Sequence, residues 1–316
     1  MKKTFVLFAL LLIAQIKAQE AAPFVMTEDW LSKIQSLAPA PSGTQGLEIK
    51  NLLIFSLHTG FEHWTIPHTE AVVQIIAEKS EGFKVFTSKD ISVFEKSNLK
   101  KYDAIVLNNN CSIGPKRDLF WDALDKDSSL SEKAKTKKAK QLENNLLNYV
   151  KKGHGLMVVH GGIVMQNNSQ AFSEMVGGSF DYHPKQQAIH IKLVDLEHPM
   201  VQCFDPSGFI HIDEPYFFKN AYFDYNFRPL LYLEADKLDG LKKEVPDNIK
   251  YISWIKKYGK GRVFYSSPSH NAQSLENPDL LQYYLNGLHY ITGSLDCDDS
   301  PIGRNQIGSK KAKSSR

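Results

Sequence analysis

The feature that most constrains the fold is the alternation of short apolar runs with helix-length segments in the first half of the chain. Residues 52–57, 102–107 and 156–159 are nearly continuous apolar runs, which is typical of strands buried on both faces of a sheet. Between the first two runs, apolar residues recur at helical spacing from Pro67 until Gly82. This alternation predicts an α/β fold with a parallel, doubly wound sheet.

The pattern changes after residue 185, where strand-like runs follow one another. Runs at 188–194, 209–212 and 230–233 predict further strands, and 251–255 and 262–265 flank a turn with two glycines. Residues 277–290 predict a final helix that covers the sheet. We therefore expect antiparallel additions in the C-terminal half. The charged stretch 122–140 is interpreted as an exposed insertion that leads into a helix.

The composition of the sequence predicts that the chain is divided into four segments. Residues 1–18 have two early lysines, a short apolar run and Ala18, which predicts a secretory signal peptide cleaved near Ala18 and export to the periplasm or medium. Residues 19–46 are interpreted as a short helix capped by Thr27 followed by a linker. Residues 47–295 form the α/β domain, and 296–316 a basic disordered tail.

Charge and cysteine usage exclude several classes of protein. The formal net charge is +3, but the basic residues of the two ends leave the body, 19–303, at about −5. An acidic body is not expected to bind nucleic acid, and no apolar run reaches the length of a membrane span. The three cysteines are widely spaced, which favours inert thiols over a zinc ribbon: Cys111, Cys203 and Cys297. One disulfide bond between two of them is an alternative that the sequence leaves open.

Histidines and acids stand where predicted strands end, which is where open α/β sheets bind ligands. We take His58, His160, Glu214 and His270 as candidate catalytic residues. The other strand-end histidines are interpreted as polar caps: His63, His68, His154, His190 and His289. The sequence lacks the GxGxxG, GxxxxGK[ST], HExxH and GxSxG motifs, so nucleotide-binding, thermolysin-like and serine-hydrolase interpretations have no support.

Several of these segments together resemble a known family. They are Gly177–Pro184, His198-Pro199, Asp213–Tyr216 and Trp254–Tyr265 with His270, and over about residues 50–293 the chain resembles the ThuA-like (trehalose-utilisation) family. The resemblance implies a flavodoxin-like fold similar to class I glutamine amidotransferases. Where those enzymes carry a catalytic Cys after a strand, this chain carries His160, so glutaminase activity is not implied. The family implies a carbohydrate ligand more firmly than any reaction.

Two functional hypotheses remain open. The first is an exported enzyme that acts on a keto-disaccharide or glycoside by acid/base elimination or hydrolysis, with Glu214 or His160 as base and His58 and His270 as acid or oxyanion stabilisers. The second is a non-catalytic carbohydrate-binding or scaffold protein, since aromatic residues accompany the same loops. Either way, we expect these residues to bind substrate: Trp64, Gly161, Gly162, His183, Asp213 and Tyr216.

A divalent metal, zinc or manganese, is a further expectation. The imidazole and carboxylate donors that suit such an ion include His58, His183, Glu214 and His270, with His211 and Asp213 nearby in the sequence. A divalent ion would stabilise the charge of an enediolate intermediate, so metal and elimination chemistry fit together. The sequence leaves open the sugar, its linkage and the oligomeric state.

Overall fold

A nine-stranded sheet forms the centre of the protein, described by a computed structural model that covers residues 21–41, 48–245 and 248–302. The predicted signal peptide and the tail beyond residue 302 lie outside the described residues. The strands are β1 (Lys50–Phe55), β2 (Phe83–Ser88), β3 (Ala104–Asn108), β4 (Gly155–Val159), β5 (Ser179–Tyr182), β6 (Gln187–Leu193), β7 (Phe209–Asp213), β8 (Phe217–Lys219), β9 (Arg228–Glu234), β10 (Ile249–Tyr258) and β11 (Gly261–Ser266).

Strand order in the large sheet is β2-β1-β3-β4-β11-β10-β9-β6-β7, and β5 pairs with β8 in a separate small sheet. The first five strands of that order are mutually parallel, and every later pairing is antiparallel. The predicted flavodoxin-like α/β fold with antiparallel additions in the C-terminal half is therefore confirmed. The predicted hairpin is also present, with Gly259 at φ +61° in its turn.

Helices cover both faces of the sheet because successive strand residues point to opposite sides. The helices are α1 (Glu28–Leu37), α2 (Ile66–Lys79), α3 (Lys96–Leu99), α4 (Leu119–Asp125), α5 (Glu132–Lys151), α6 (Gln170–Val176) and α7 (Pro278–Thr292). In β1, Leu52 and Ile54 pack with α1, α2 and α7 in one core, while Leu53 and Phe55 pack with α4, α5 and α6 in the other. No helix of the described residues is long and apolar enough to span a bilayer.

The charged stretch 122–140 is mostly exposed and leads into a helix, as interpreted, but most of it is itself helical, in α4 and α5. Ser131 caps α5 by accepting a hydrogen bond from the backbone N–H of Ala134, and Glu132 lies in the favourable first turn. The aliphatic face that begins at Ala139 continues through Leu142 and Leu146 into the core. The cap and the helical spacing of the buried residues stabilise α5 despite the high charge of the segment.

The topology places the ends of four parallel strands at one edge of the sheet. The loops that follow β1, β3, β4 and β11 begin after Phe55, Asn108, Val159 and Ser266. They carry His63, Cys111, His160 and His270, and the segment after β7 adds Glu214 from the antiparallel half. The candidate site lies at this edge.

Candidate functional site

Four side chains from four loops bring their donor atoms together. One ring nitrogen each from His63, His160 and His270 and one carboxylate oxygen of Glu214 all lie within 4.8 Å of one another. We call these residues the His–Glu quartet. His270 Nδ1 is 3.3 Å from His160 Nε2 and 3.2 Å from Glu214 Oε2. Ligand atoms in a tetrahedron with bonds of about 2.1 Å are about 3.4 Å apart, so these two spacings already suit zinc.

His160 follows β4 directly, and its backbone has a left-handed φ of +43°. This is uncommon for a residue with a side chain and marks a sharp turn at the strand end. Its ring is fully buried, and Nδ1 lies 2.7 Å from the carbonyl oxygen of Ser267. Because a carbonyl only accepts, Nδ1 carries a proton, and Nε2 is the nitrogen that faces the quartet.

The glycines after His160 shape this turn rather than line the cleft. A Cβ at Gly161 would lie 2.9 Å from both Cys111 Sγ and His63 Cε1, so only glycine fits here without displacing one of them. The Gly161 N–H donates to Asn109 Oδ1 at 3.1 Å. Gly162 is equally confined, against the Leu107 carbonyl. Both glycines pack closely behind the quartet and neither lines the cleft, and their role in substrate binding stays a prediction.

Asp213 is almost completely buried, and all its described contacts are with protein groups. Its Oδ2 accepts hydrogen bonds from His211 Nε2 at 2.6 Å and from the Ser269 N–H at 2.9 Å, while Oδ1 accepts from the Glu214 N–H at 2.7 Å. The His270 N–H also points at this carboxylate, at 3.3 Å. Asp213 therefore positions Glu214 and His270, and neither it nor His211 belongs to the quartet.

The local environment lowers the pKa values of His63 and Glu214, whereas the hydrogen bond and charge of Glu214 and the charge of Asp213 raise the pKa of His270 against the effect of burial. Burial, and then the charges of His160 and His270, hold the pKa of His63 well below its usual range. Burial alone would raise the pKa of Glu214, but hydrogen bonds and charges from His160 and His270 outweigh it and lower that pKa strongly. The Glu214 carboxylate is therefore held ionised beside a His63 ring that is held neutral.

A cleft of about 220 Å³ opens beside the quartet. Tyr216 is buried in its wall, with its ring centroid 4.1 Å from that of His160 and its hydroxyl 3.5 Å from His63 Nε2. His183 lines the cleft with a half-buried side chain, and its Nε2 is 3.7 Å from Glu214 Oε2. The lining residues are Phe61, His63, Cys111, Arg117, Val164, Phe180, His183, Glu214 and Tyr216.

Two sequence-predicted site residues lie outside this arrangement. His58 pairs with Glu62, its Nε2 3.6 Å from that carboxylate, and is not part of the quartet. Trp64 packs edge-on against Phe24 and His68, with centroid separations of 5.5 and 5.2 Å, and does not line the cleft.

Sequence reasoning missed the role of His63, which it interpreted as a polar cap. His58 and His63 share the loop after β1, and only the path of that loop decides which one enters the quartet. Arg117 and Phe180 were also missed as cleft residues. The cysteines are free, and burial raises the pKa of Cys111 to about 12, so its thiol stays protonated beside the cleft.

The chain matches the family described as ThuA, trehalose utilisation, over residues 51–291. It belongs to this family. Solved structures with the same fold include a ThuA-like protein from Bacteroides uniformis ATCC 8492, at 17% identity and a TM-score of 0.57, covering 80% of this chain and 93% of that one. A ThuA-like protein from Parabacteroides merdae ATCC 43184 has 16% identity and a TM-score of 0.53, with 78% and 92% covered.

A third similar structure is STM3548, a cytoplasmic protein from Salmonella typhimurium, at 16% identity and a TM-score of 0.50, with coverage of 77% and 99%. At these identities the likeness shows the shared fold alone. No curated protein matches the chain significantly. The family membership predicted from the sequence segments is confirmed.

Proposed function

We propose that this ThuA-family protein is a metal-dependent enzyme that cleaves an oxidised (3-keto) disaccharide or glycoside by elimination. The observation that carries the proposal is the His–Glu quartet, which joins four donor atoms within 4.8 Å beside a small cleft. The family description, trehalose utilisation, supports a carbohydrate as substrate. The protonated Cys111 thiol supports chemistry without a cysteine nucleophile.

The quartet fits zinc or manganese by donor type and by spacing. His160 also has the outer hydrogen bond that metal-binding histidines usually make, from Nδ1 to a backbone carbonyl. When bound, the ion supplies positive charge against the negative charge that develops on the C3 oxygen of the sugar. His58 and His183, proposed as ligands from the sequence, are replaced in this set by His63 and His160.

His183 is the acid/base residue that the geometry favours. Its Nδ1 lies 2.8 Å from the Pro184 carbonyl and therefore carries a proton, so Nε2 is the nitrogen that faces the cleft beside Glu214. Nε2 takes the proton from C2, which the C3 carbonyl acidifies. As the C1–C2 double bond forms and the C1–O bond breaks, the same nitrogen returns the proton to the leaving glycosidic oxygen.

The test compares 3-keto-trehalose with trehalose, using protein loaded with Zn²⁺ or Mn²⁺ and protein treated with EDTA. We expect glucose release from the keto-sugar only, and only with metal, because trehalose lacks the carbonyl that acidifies C2. His183→Ala should lower turnover by roughly 10²–10⁴-fold and keep the metal. The matched control His58→Ala should change neither the turnover nor the metal content. Absence of turnover in every metal state would overturn the enzyme proposal and favour the carbohydrate-binding alternative.

We also propose that the protein is exported, which rests on the sequence of residues 1–18 alone. Expression of the full chain with its native start, followed by fractionation and N-terminal sequencing, tests this. A mature protein that begins at Gln19 outside the cytoplasm is expected. A retained Met1 in the cytoplasmic fraction, where the similar Salmonella protein STM3548 is described, would contradict it.

A further inference from the structure

The mouth of the cleft carries an exposed phenylalanine that the proposed chemistry does not use. Phe61 lines the cleft although 64% of its surface is exposed, and Ile113, on the loop after β3, is 56% exposed. Among the described residues, the ring contact of Phe61 is an edge-on one with His63, at 4.8 Å between centroids. An exposed aromatic ring at the rim of a site is a candidate ligand-stacking surface.

The loop that carries Phe61 is held firmly against the loop after β3. The N–H groups of Thr59 and Gly60 both donate to the Cys111 carbonyl, at 2.9 and 2.8 Å. Gly60 approaches Ser112 so closely that an added Cβ would lie 2.6 Å from its carbonyl oxygen. Phe61 is therefore presented by backbone that is already ordered, which reduces the entropy cost of binding.

Asp122, on α4, is hydrogen-bonded to both of these loops. Its buried Oδ2 accepts hydrogen bonds from the Thr59 hydroxyl at 2.7 Å and from the Ile113 N–H at 2.9 Å. One carboxylate thus holds the loop that carries Phe61 against the loop that carries Ile113.

The volume of the cleft limits what can enter it. At about 220 Å³ it is smaller than the roughly 300–1,000 Å³ of pockets that hold drug-sized ligands. It accommodates one sugar ring beside the quartet, so the rest of a disaccharide must lie outside. Among the residues that line the cleft, Phe61 is an exposed apolar one that such an outer ring could meet.

We infer that Phe61 forms a second sugar subsite. The leaving ring of a disaccharide stacks on Phe61, while the oxidised ring whose C1–O bond breaks occupies the cleft. The inference rests on the proposed function in that it takes the cleft as a sugar site. A cleft that holds one ring, with the next ring on Phe61, makes the protein specific for the terminal sugar residue of its substrate. It also makes Phe61 a specificity-determining residue rather than a catalytic one.

The test measures binding by isothermal titration calorimetry with trehalose and methyl α-glucoside, which lack the C3 carbonyl and so bind without turnover. Phe61→Ala should weaken trehalose binding about tenfold and methyl α-glucoside binding less than twofold, and Phe61→Tyr should restore the trehalose affinity. Phe223→Ala is the matched control, because Phe223 is 49% exposed but does not line the cleft; it should change neither affinity.

The outcomes separate this inference from the proposed function. Equal weakening of both sugars by Phe61→Ala, or no weakening of either, overturns the subsite and leaves the cleft as a sugar site. Failure of both sugars to bind the unsubstituted protein overturns the subsite together with the carbohydrate function. Loss of trehalose affinity alone supports the inference.

Discussion

The Nδ1 atom of His160 donates a hydrogen bond to the carbonyl oxygen of Ser267 at 2.7 Å, and this contact fixes which nitrogen the ring presents to the site. Ser267 follows β11 and His160 follows β4, and these strands are parallel neighbours in the sheet. The orientation of the ring is therefore set by strand pairing. A metal bound at the quartet would meet a ring already in the required tautomer.

Two histidines of one loop give the sharpest test of the metal site. His63→Ala removes a member of the quartet and should lower zinc affinity by more than tenfold, while His58→Ala should leave it within twofold. Elemental analysis and zinc titration of both variants, purified without a His-tag, measure this. His289→Ala, on α7, is a second control that should keep the metal. An equal loss of zinc affinity in the His58→Ala and His63→Ala variants would contradict the assignment of His63 as a ligand.

Packing behind the quartet predicts the effect of a small substitution. Gly161→Ala adds a methyl group 2.9 Å from Cys111 Sγ and His63 Cε1, so one of these side chains must move. We expect a loss of about 1–3 kcal/mol of stability and weaker zinc binding. Gly82→Ala is the control, since its new Cβ has no neighbour closer than 3.6 Å. Thermal melts with and without zinc measure both effects. A Gly161→Ala protein with unchanged melting temperature and zinc affinity would show that the turn adapts.

Asp213 should act through the residues it positions. Asp213→Asn replaces one acceptor oxygen by an NH₂ group that cannot accept from His211 or the Ser269 N–H. Leaving buried donors unpaired costs about 1–3 kcal/mol, so a lower melting temperature is expected. Zinc affinity should also fall, because the Ser269 N–H loses its acceptor and Ser269 directly precedes His270 of the quartet. A variant that melts lower but binds zinc normally would assign Asp213 a purely structural role.

The sequence predicted the fold more completely than the site. Apolar runs such as 156–159 identify buried strands because a central parallel strand has no polar face, and capping residues such as Asn277 mark where a helix begins. The edge where ligands bind follows from the topology, so His160, Glu214 and His270 could be placed near one another in advance.

What the sequence did not reveal depends on contacts between distant loops. His63 enters the quartet because its loop is hydrogen-bonded to the Cys111 carbonyl, and that contact joins segments about fifty residues apart. Asp213 was predicted to bind substrate, but its burial against His211 and Ser269 could be seen only once β7 and the loop after β11 were brought together. Side-chain direction within a strand-end loop is set by such tertiary contacts.

A buried lysine on β10 gives a prediction about stability and pH. Lys250 is only 4% exposed, and its Nζ lies 3.8 Å from the ring centroid of Tyr222 and 4.9 Å from that of Phe218. Among the described residues no carboxylate lies within ion-pair distance of it. Burial lowers the pKa of Lys250 to about 7; the charge of Asp181 opposes this shift, and the charge of Lys243 adds to it.

The unfolded chain keeps this lysine protonated up to its ordinary pKa near 10.5, whereas the folded protein releases the proton above about pH 7. Between these values the unfolded state binds more protons, so this group makes the free energy of unfolding rise with pH, by up to about 1.4 kcal/mol per pH unit. The destabilising effect of Lys250 is greatest below pH 7. Lys250→Met should therefore stabilise the protein at neutral pH, by roughly 1–4 kcal/mol.

Urea unfolding of the unsubstituted protein and Lys250→Met from pH 6 to 9 measures this. The stability difference should be largest at pH 6–7 and shrink as pH rises, because the lysine in the folded protein is then neutral and no longer opposes burial. Lys84→Met, at an exposed position near Phe86, is the control and should stay within about 0.5 kcal/mol at every pH. A Lys250→Met variant that is less stable at pH 6 would mean that the aromatic rings stabilise the ammonium group by more than its desolvation costs.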